Sequence, residues 1–144
     1  MSFAALKDTV EKRVHVGQGE HFITSDPNVV LSTILGSCVA MCVRDPLAGV
    51  GGMNHFLLPE GAGSDAGAGR RYGAYLMEVL INEMIKLGAR RESMQAKIFG
   101  GGQVMANFTT MNVGERNTRF VQDYLATERI PVVSEDVLDI YPRK

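Results

Sequence analysis

The chain has no tryptophan, two cysteines, three histidines and no excess of either charge, with 15 Lys and Arg against 16 Asp and Glu in 144 residues. Each shortage excludes something. A balanced charge leaves no bulk electrostatic drive toward nucleic acid or an anionic membrane surface, so any recognition must be local. No apolar run approaches the roughly 18 residues of a membrane span. The N-terminal stretch carries Lys7, Asp8, Glu11, Lys12 and Arg13 in place of a signal-peptide core. Cys38 and Cys42 stand four positions apart, too far to close an ordinary disulfide within one extended strand. Reduced thiols fit a reducing compartment, and the expectation is a cytoplasmic protein with no membrane insertion.

Metal and cofactor signals are equally thin. Cys38, Cys42, His15, His21 and His55 lack the tight paired spacings of a structural zinc site. Gly61-Ala62-Gly63-Ser64-Asp65-Ala66 formally fits a dinucleotide-binding pattern, but it follows Pro59-Glu60 and opens no immediate helix. Gly100-Gly101-Gly102 lacks the Lys-Ser/Thr ending of a phosphate-binding loop. Neither a metal nor a cofactor is expected.

What is present is enough apolar content, 45% of residues, to bury a core in one domain. Residues 1–13 read as a variable lead-in and 14–144 as the domain. Val14–Val16 and His21–Ile23 read as short extended pieces around Gly17-Gln18-Gly19, and Val29 to Leu35 as a buried strand after the Ser25–Asn28 turn. Val39–Val43 and Val50–Leu58 form two apolar runs joined by Asp45-Pro46-Leu47-Ala48-Gly49, which has hairpin turn chemistry. Pro59 to Gly69 is Gly- and Ala-rich and reads as a loop beside the second run. Tyr72, Tyr75, Leu76, Val79, Leu80, Met84 and Leu87 recur at helical spacing up to a capping Gly88. Gln95–Phe99 reads as a strand, Asn117–Arg129 as a second amphipathic helix, and Ile130–Val133 as the start of another strand. Strands first, then strands and helices intermixed, argue for an α+β layered domain with helices on one face. The chain stops at Tyr141-Pro142-Arg143-Lys144 without a cap, and the expectation is that final strands are lacking.

The chemistry points to Cys38. A free thiol with a pKa of about 8.5 is only a few per cent thiolate at pH 7, and a nearby imidazole corrects that. An antiparallel hairpin would bring His55, 17 positions on, back toward the Cys38 end. Gly36-Ser37 precedes the cysteine, and such a turn can present the Ser37 and Cys38 amides as an oxyanion hole. Cys42 lies inside its run and reads as core. A hydroxyl should orient the imidazole: Ser32 if the upstream strand is continuous, Thr33 if a bulge intervenes. Asn54 flanks His55 and should face the other way.

At these residues the chain resembles CheD, the chemoreceptor glutamine deamidase family of bacterial chemotaxis. The resemblance is carried by Leu35-Gly36-Ser37-Cys38-Val39-Ala40, Asp45-Pro46, Gly51 to Pro59, Arg71-Tyr72-Gly73, Ala96 to Gly101 and Asn112-Val113-Gly114-Glu115-Arg116-Asn117, in family order. It implies a layered β-sheet sandwich with flanking helices, and a Cys–His–hydroxyl triad of Cys38, His55 and either Ser32 or Thr33. It implies deamidation of receptor glutamine side chains without a cofactor. It further implies methyl-accepting chemotaxis receptors as partners, a CheC-type phosphatase as a second partner, and a final strand pair past Lys144. The rival reading is an adaptor that docks on receptors or on such a phosphatase, with the thiol a remnant. A base beside the thiol speaks for the enzyme, since an adaptor has no physical need of one.

Overall fold

The computed structural model describes residues 11–59, 66–104 and 113–144. Seven strands are described: β1 (Lys12–His15), β2 (His21–Thr24), β3 (Val29–Ser32), β4 (Val39–Asp45), β5 (Val50–Phe56), β6 (Gln95–Gly100) and β7 (Val132–Val137). Two α-helices, α1 (Ala66–Lys86) and α2 (Val113–Thr127), and a short 3-10 helix (Arg91–Ser93) accompany them. The main sheet has the order β2-β5-β4-β6-β7, antiparallel except where β7 joins β6 in parallel after the α2 crossover. β1 and β3 pair in parallel as a separate two-stranded sheet. The domain is mixed α+β, with two sheets and helices, in line with the architecture expected from sequence.

Alternation along β4 and β5 sorts side chains between two cores. Val39, Met41, Val43 and Phe56 face Met77, Leu80, Ile81 and Met84 of α1 and Val121 and Leu125 of α2. Ala40, Met53 and the half-buried Cys38 and Cys42 face the other way, toward Val16, Leu31 and Leu35. The main sheet is thus covered by helices on one side and in part by the small sheet on the other.

Several boundaries differ from the sequence reading for physical reasons. β1 begins at Lys12, inside the stretch read as a lead-in. The strand expected from Val29 to Leu35 ends at Ser32, and β3 is only half-buried because it pairs with β1 alone. Leu35 makes a single antiparallel bridge to Arg143. Of the loop expected over 59–69, residues 60–65 lie outside the described residues, and 66–69 already belong to α1. The apolar face of α1 is rotated from the one expected. Leu80 and Met84 are buried as read, but Met77 and Ile81 complete the face while Tyr72, Tyr75 and Leu87 stay exposed. Gly52 lets α1 approach the sheet, because a Cβ there would stand 2.9 Å from Leu80 Cδ1.

The β4–β5 turn is closed by Asp45. Its Oδ1 accepts the Leu47 and Ala48 amides at 2.9 and 3.1 Å, and its Oδ2 accepts the Arg90 amide at 2.8 Å. The Arg90 amide above all holds this carboxyl below the usual carboxylate range, against the opposing effect of burial, with the Ala48 and Leu47 amides adding to it. A depressed folded-state pKa contributes stability above the unfolded value of about 3.9 and loses it as pH falls through the folded value. Asp45→Asn is therefore expected to lower the melting temperature by several degrees at pH 7, and the deficit should shrink below about pH 4 as the parent carboxyl protonates. Thermal melts of both proteins between pH 3 and 7 check this; a deficit constant across that range would refute it.

Candidate active site

Hairpin register positions the two principal side chains. Ala40 pairs with His55 and Val39 with Phe56, so His55 lies across from the residue two positions after Cys38. Residues paired across antiparallel strands share a face, as do residues two apart on one strand. Cys38, just before β4, packs with Ala40 and Met53 on the face away from the helices, and His55, paired with Ala40, lies on that same face at the same end of the hairpin. Asn54 points to the helix side, where it is buried, accepts the Met41 amide at 3.1 Å and donates to Met77 Sδ.

His55 is buried, and its ring is held from one side. Nδ1 lies 3.1 Å from the Val16 carbonyl oxygen and 2.8 Å from Thr33 Oγ1. A carbonyl oxygen can only accept, so Nδ1 carries the proton, which it shares between Val16 and the Thr33 hydroxyl. That tautomer leaves the lone pair on Nε2, which is buried without a hydrogen-bond partner among the described residues. The structure thus brings Thr33 to the imidazole. Ser32 sits in the small sheet opposite His15, and its carbonyl accepts the Val16 amide at 2.9 Å. The reason is the early end of β3, since parity would favour Ser32 only if the strand ran on to the cysteine.

Cys38 lies in an irregular loop anchored from distant parts of the chain. The Gly101 amide donates to the Cys38 carbonyl at 2.8 Å and the Gly102 amide to the Gly36 carbonyl at 2.9 Å. Buried Asn117 of α2 donates to the Ser37 carbonyl and accepts the Leu58 amide, each at 3.1 Å, joining the cysteine loop to the segment after β5. Gly100 and Gly101 have φ of 103° and 69°, in the left-handed region. A Cβ on Gly100 would stand 2.2 Å from the Cys38 carbonyl oxygen, and one on Gly101 would stand 2.0 Å from Thr118 Oγ1. The glycine run permits a close backbone approach to the loop that carries the thiol.

The thiol itself is half-buried, and it donates to Gln18 Oε1 at 3.5 Å; no hydrogen bond joins it to His55. Burial raises its pKa, partly offset by its own backbone amide. The thiol is turned toward Gln18, and Nε2 of the imidazole has no hydrogen-bond partner among the described residues. Burial pushes Cys42 up to about 11, with Lys97 opposing. His21 is paired with Glu83 Oε2 at 2.9 Å, on the other side of the sheet from Cys38. Among the described residues no three His, Cys, Asp or Glu side chains are grouped to hold a metal ion, and no helix is long and apolar enough to cross a membrane.

Gln18, Val16 and Asn117 are the site residues that sequence reasoning missed as such. Of these, Gln18 fell within Gly17-Gln18-Gly19, which the sequence marks only as a turn.

Residues 57–144 match the family model described as CheD chemotactic sensory transduction. The chain is 65% identical over 131 residues to a probable chemoreceptor glutamine deamidase CheD 1 of Albidiferax ferrireducens, covering 91% of this chain and 55% of that protein. It is 57% identical over 129 residues to a probable chemoreceptor glutamine deamidase CheD of Thiobacillus denitrificans, covering 88% and 63%. The counterpart in Bordetella petrii is 55% identical over 132 residues, covering 91% and 59%. The chain thus spans between half and two-thirds of the length of these relatives. The crystal structure of Bacillus licheniformis hypothetical protein YfiH is similar in fold, with a TM-score of 0.52 at 14% identity, covering 92% of this chain and 61% of that one.

The two thiols should differ in reactivity. With iodoacetamide at pH 7.5, Cys38 is expected to be labelled at least about tenfold faster than Cys42, and its rate should keep rising through pH 9, because its pKa is raised. Peptide mapping of the alkylated protein checks both points; faster labelling of Cys42, or a Cys38 rate already flat at pH 7, would contradict them.

Proposed function

Since the chain belongs to the CheD family, we propose that it is a cytoplasmic protein-glutamine glutaminase that converts chemoreceptor glutamine side chains to glutamate, with Cys38 as nucleophile. The observation that carries this reading is the buried His55, whose Nδ1–H is committed to Val16 and Thr33 while Nε2 faces no other partner among the described residues. An imidazole held in that tautomer is a base in waiting for a proton from a neighbouring thiol.

The reaction follows from these parts. Cys38 rotates toward His55 and gives its proton to Nε2, and the thiolate attacks the carboxamide carbon of the receptor glutamine. The carbonyl π electrons move onto oxygen, where the Ser37 and Cys38 amides, at the turn opened by Gly36, stabilise the oxyanion. His55 returns the proton to the departing nitrogen, the C–N bond breaks, and ammonia leaves a thioester on Cys38. Water gives a proton to Nε2 and attacks the thioester; the C–S bond breaks, glutamate is released, and the sulfur recovers its proton. Thr33 keeps the ring oriented through both halves, and no cofactor enters. A raised resting pKa at Cys38 suits this scheme, because the thiolate forms only when the proton has a base to go to.

The test is intact-mass analysis of a chemoreceptor cytoplasmic fragment incubated with the protein. Each replacement of NH2 by OH adds about one dalton, with an equivalent of ammonia. Cys38→Ala should abolish the change while receptor binding persists, and His55→Ala should slow it by at least about a hundredfold. Thr33→Val should cost more than Ser32→Val, since only Thr33 touches the ring. A fragment that gains no mass, yet binds the protein and a CheC-type phosphatase equally well with Cys38→Ala, would replace the enzyme by the adaptor.

A further inference from the structure

The contact between Cys38 and Gln18 is left unused by that scheme. Gln18 sits at the tip of the turn between β1 and β2, and the turn is fixed on all sides of it. The Val16 amide donates to Ser32 O at 2.9 Å, the Gly17 amide donates to Glu20 Oε1 at 2.9 Å, and the Gly19 amide donates to His55 O at 2.7 Å. The His55 amide returns a bond to Glu20 O at 3.1 Å, and Val16 O holds the His55 ring. The backbone that sets the base therefore also sets the root of Gln18. Its side chain is exposed, extends over the nucleophile, and touches Sγ at 3.5 Å.

A carboxamide has the right chemistry to follow the reaction. Toward a neutral thiol it offers Oε1 as acceptor, the arrangement seen here. A half-turn about its last torsion, which is broad and nearly two-fold, exchanges Oε1 for Nε2 and presents N–H donors instead. Once the proton has passed to His55, sulfur becomes an acceptor, and the donor orientation is favoured. After attack, the negative charge moves to the substrate oxygen, one carbon away from sulfur and still within reach of the same amide.

Resting on the deamidase reading, we propose that Gln18 is a catalytic residue whose side-chain N–H stabilises negative charge at the Cys38 centre, first on sulfur and then on the oxyanion of the substrate carboxamide. It acts beside the Ser37 and Cys38 amides as a third donor. Unlike them, it can turn away as an acceptor when the thiol is reprotonated.

Gln18→Leu and Gln18→Glu separate this role from its rivals, because the first keeps the size without polar atoms and the second keeps an acceptor but has no donor. Both should fold like the parent, since every backbone anchor of the turn belongs to neighbouring residues, and a thermal melt verifies it. Alkylation of Cys38 by neutral iodoacetamide at pH 7.5 should slow about fivefold in Gln18→Leu and further in Gln18→Glu, whose carboxylate repels the thiolate. Receptor deamidation should lose about a hundredfold in kcat in Gln18→Leu with KM within about threefold, the scale of one lost oxyanion donor. Alkylation as fast as the parent in both variants would make Gln18 a bystander, and faster alkylation would make it a plug over the thiol; either result overturns the proposal. Should the parent itself deamidate no receptor fragment, the functional reading fails, and the alkylation order alone decides the role of Gln18. Should the parent deamidate and Gln18→Leu match its kcat, the proposal fails and the deamidase reading stands.

Discussion

The register of the β4–β5 hairpin is the constraint on which the rest of this structure depends. With Ala40 opposite His55, the imidazole lies on the face that the small sheet partly covers, the side of Cys38, and Asn54 and Phe56 go to the helix side. A slip of one residue would exchange these faces and take the imidazole to the helix side. Two features oppose the slip. Asp45 ties the turn to the Arg90 amide, and Phe56 is fully buried against the helices. The placement of His55 is thus held by groups remote from Cys38.

A second layer of control comes from backbone. Val16, through its carbonyl, chooses the tautomer of His55, while its amide is fixed by Ser32 and so by the small sheet. The two strands of the small sheet are exposed or half-buried along their length, with Leu31 packed against the second core. The sheet's value to the site lies in delivering a carbonyl and a threonine hydroxyl to the same ring nitrogen from consecutive ends of β1 and β3.

Much of this was legible in the sequence. Turn residues between two apolar runs predicted the hairpin, and the separation of Cys38 from His55 then placed both at one end of it. Helical spacing found α1 and α2, although the buried face of α1 was set by contact with Gly52 and by the position of the sheet, which no local pattern records. The choice between Ser32 and Thr33 could not be read, because it turns on where β3 ends, and that is decided by pairing with β1. Gln18, exposed and polar, carries no signature of its own; its place over the thiol follows from a turn bonded to a strand more than thirty residues away.

The loop that carries Cys38 is tied chiefly to what comes after it in the chain. Its carbonyls are held by Gly101, Gly102 and Asn117, the last 80 positions from Ser37, and Leu35 bridges to Arg143. Closing such long spans costs chain entropy that is recovered only when the distant segments are in place. During synthesis, then, the hairpin holding His55 can form well before the cysteine loop gains its anchors. The Cys38 loop therefore takes its final backbone shape only once α2 has docked and Asn117 reaches the Ser37 carbonyl, late in the folding of the chain.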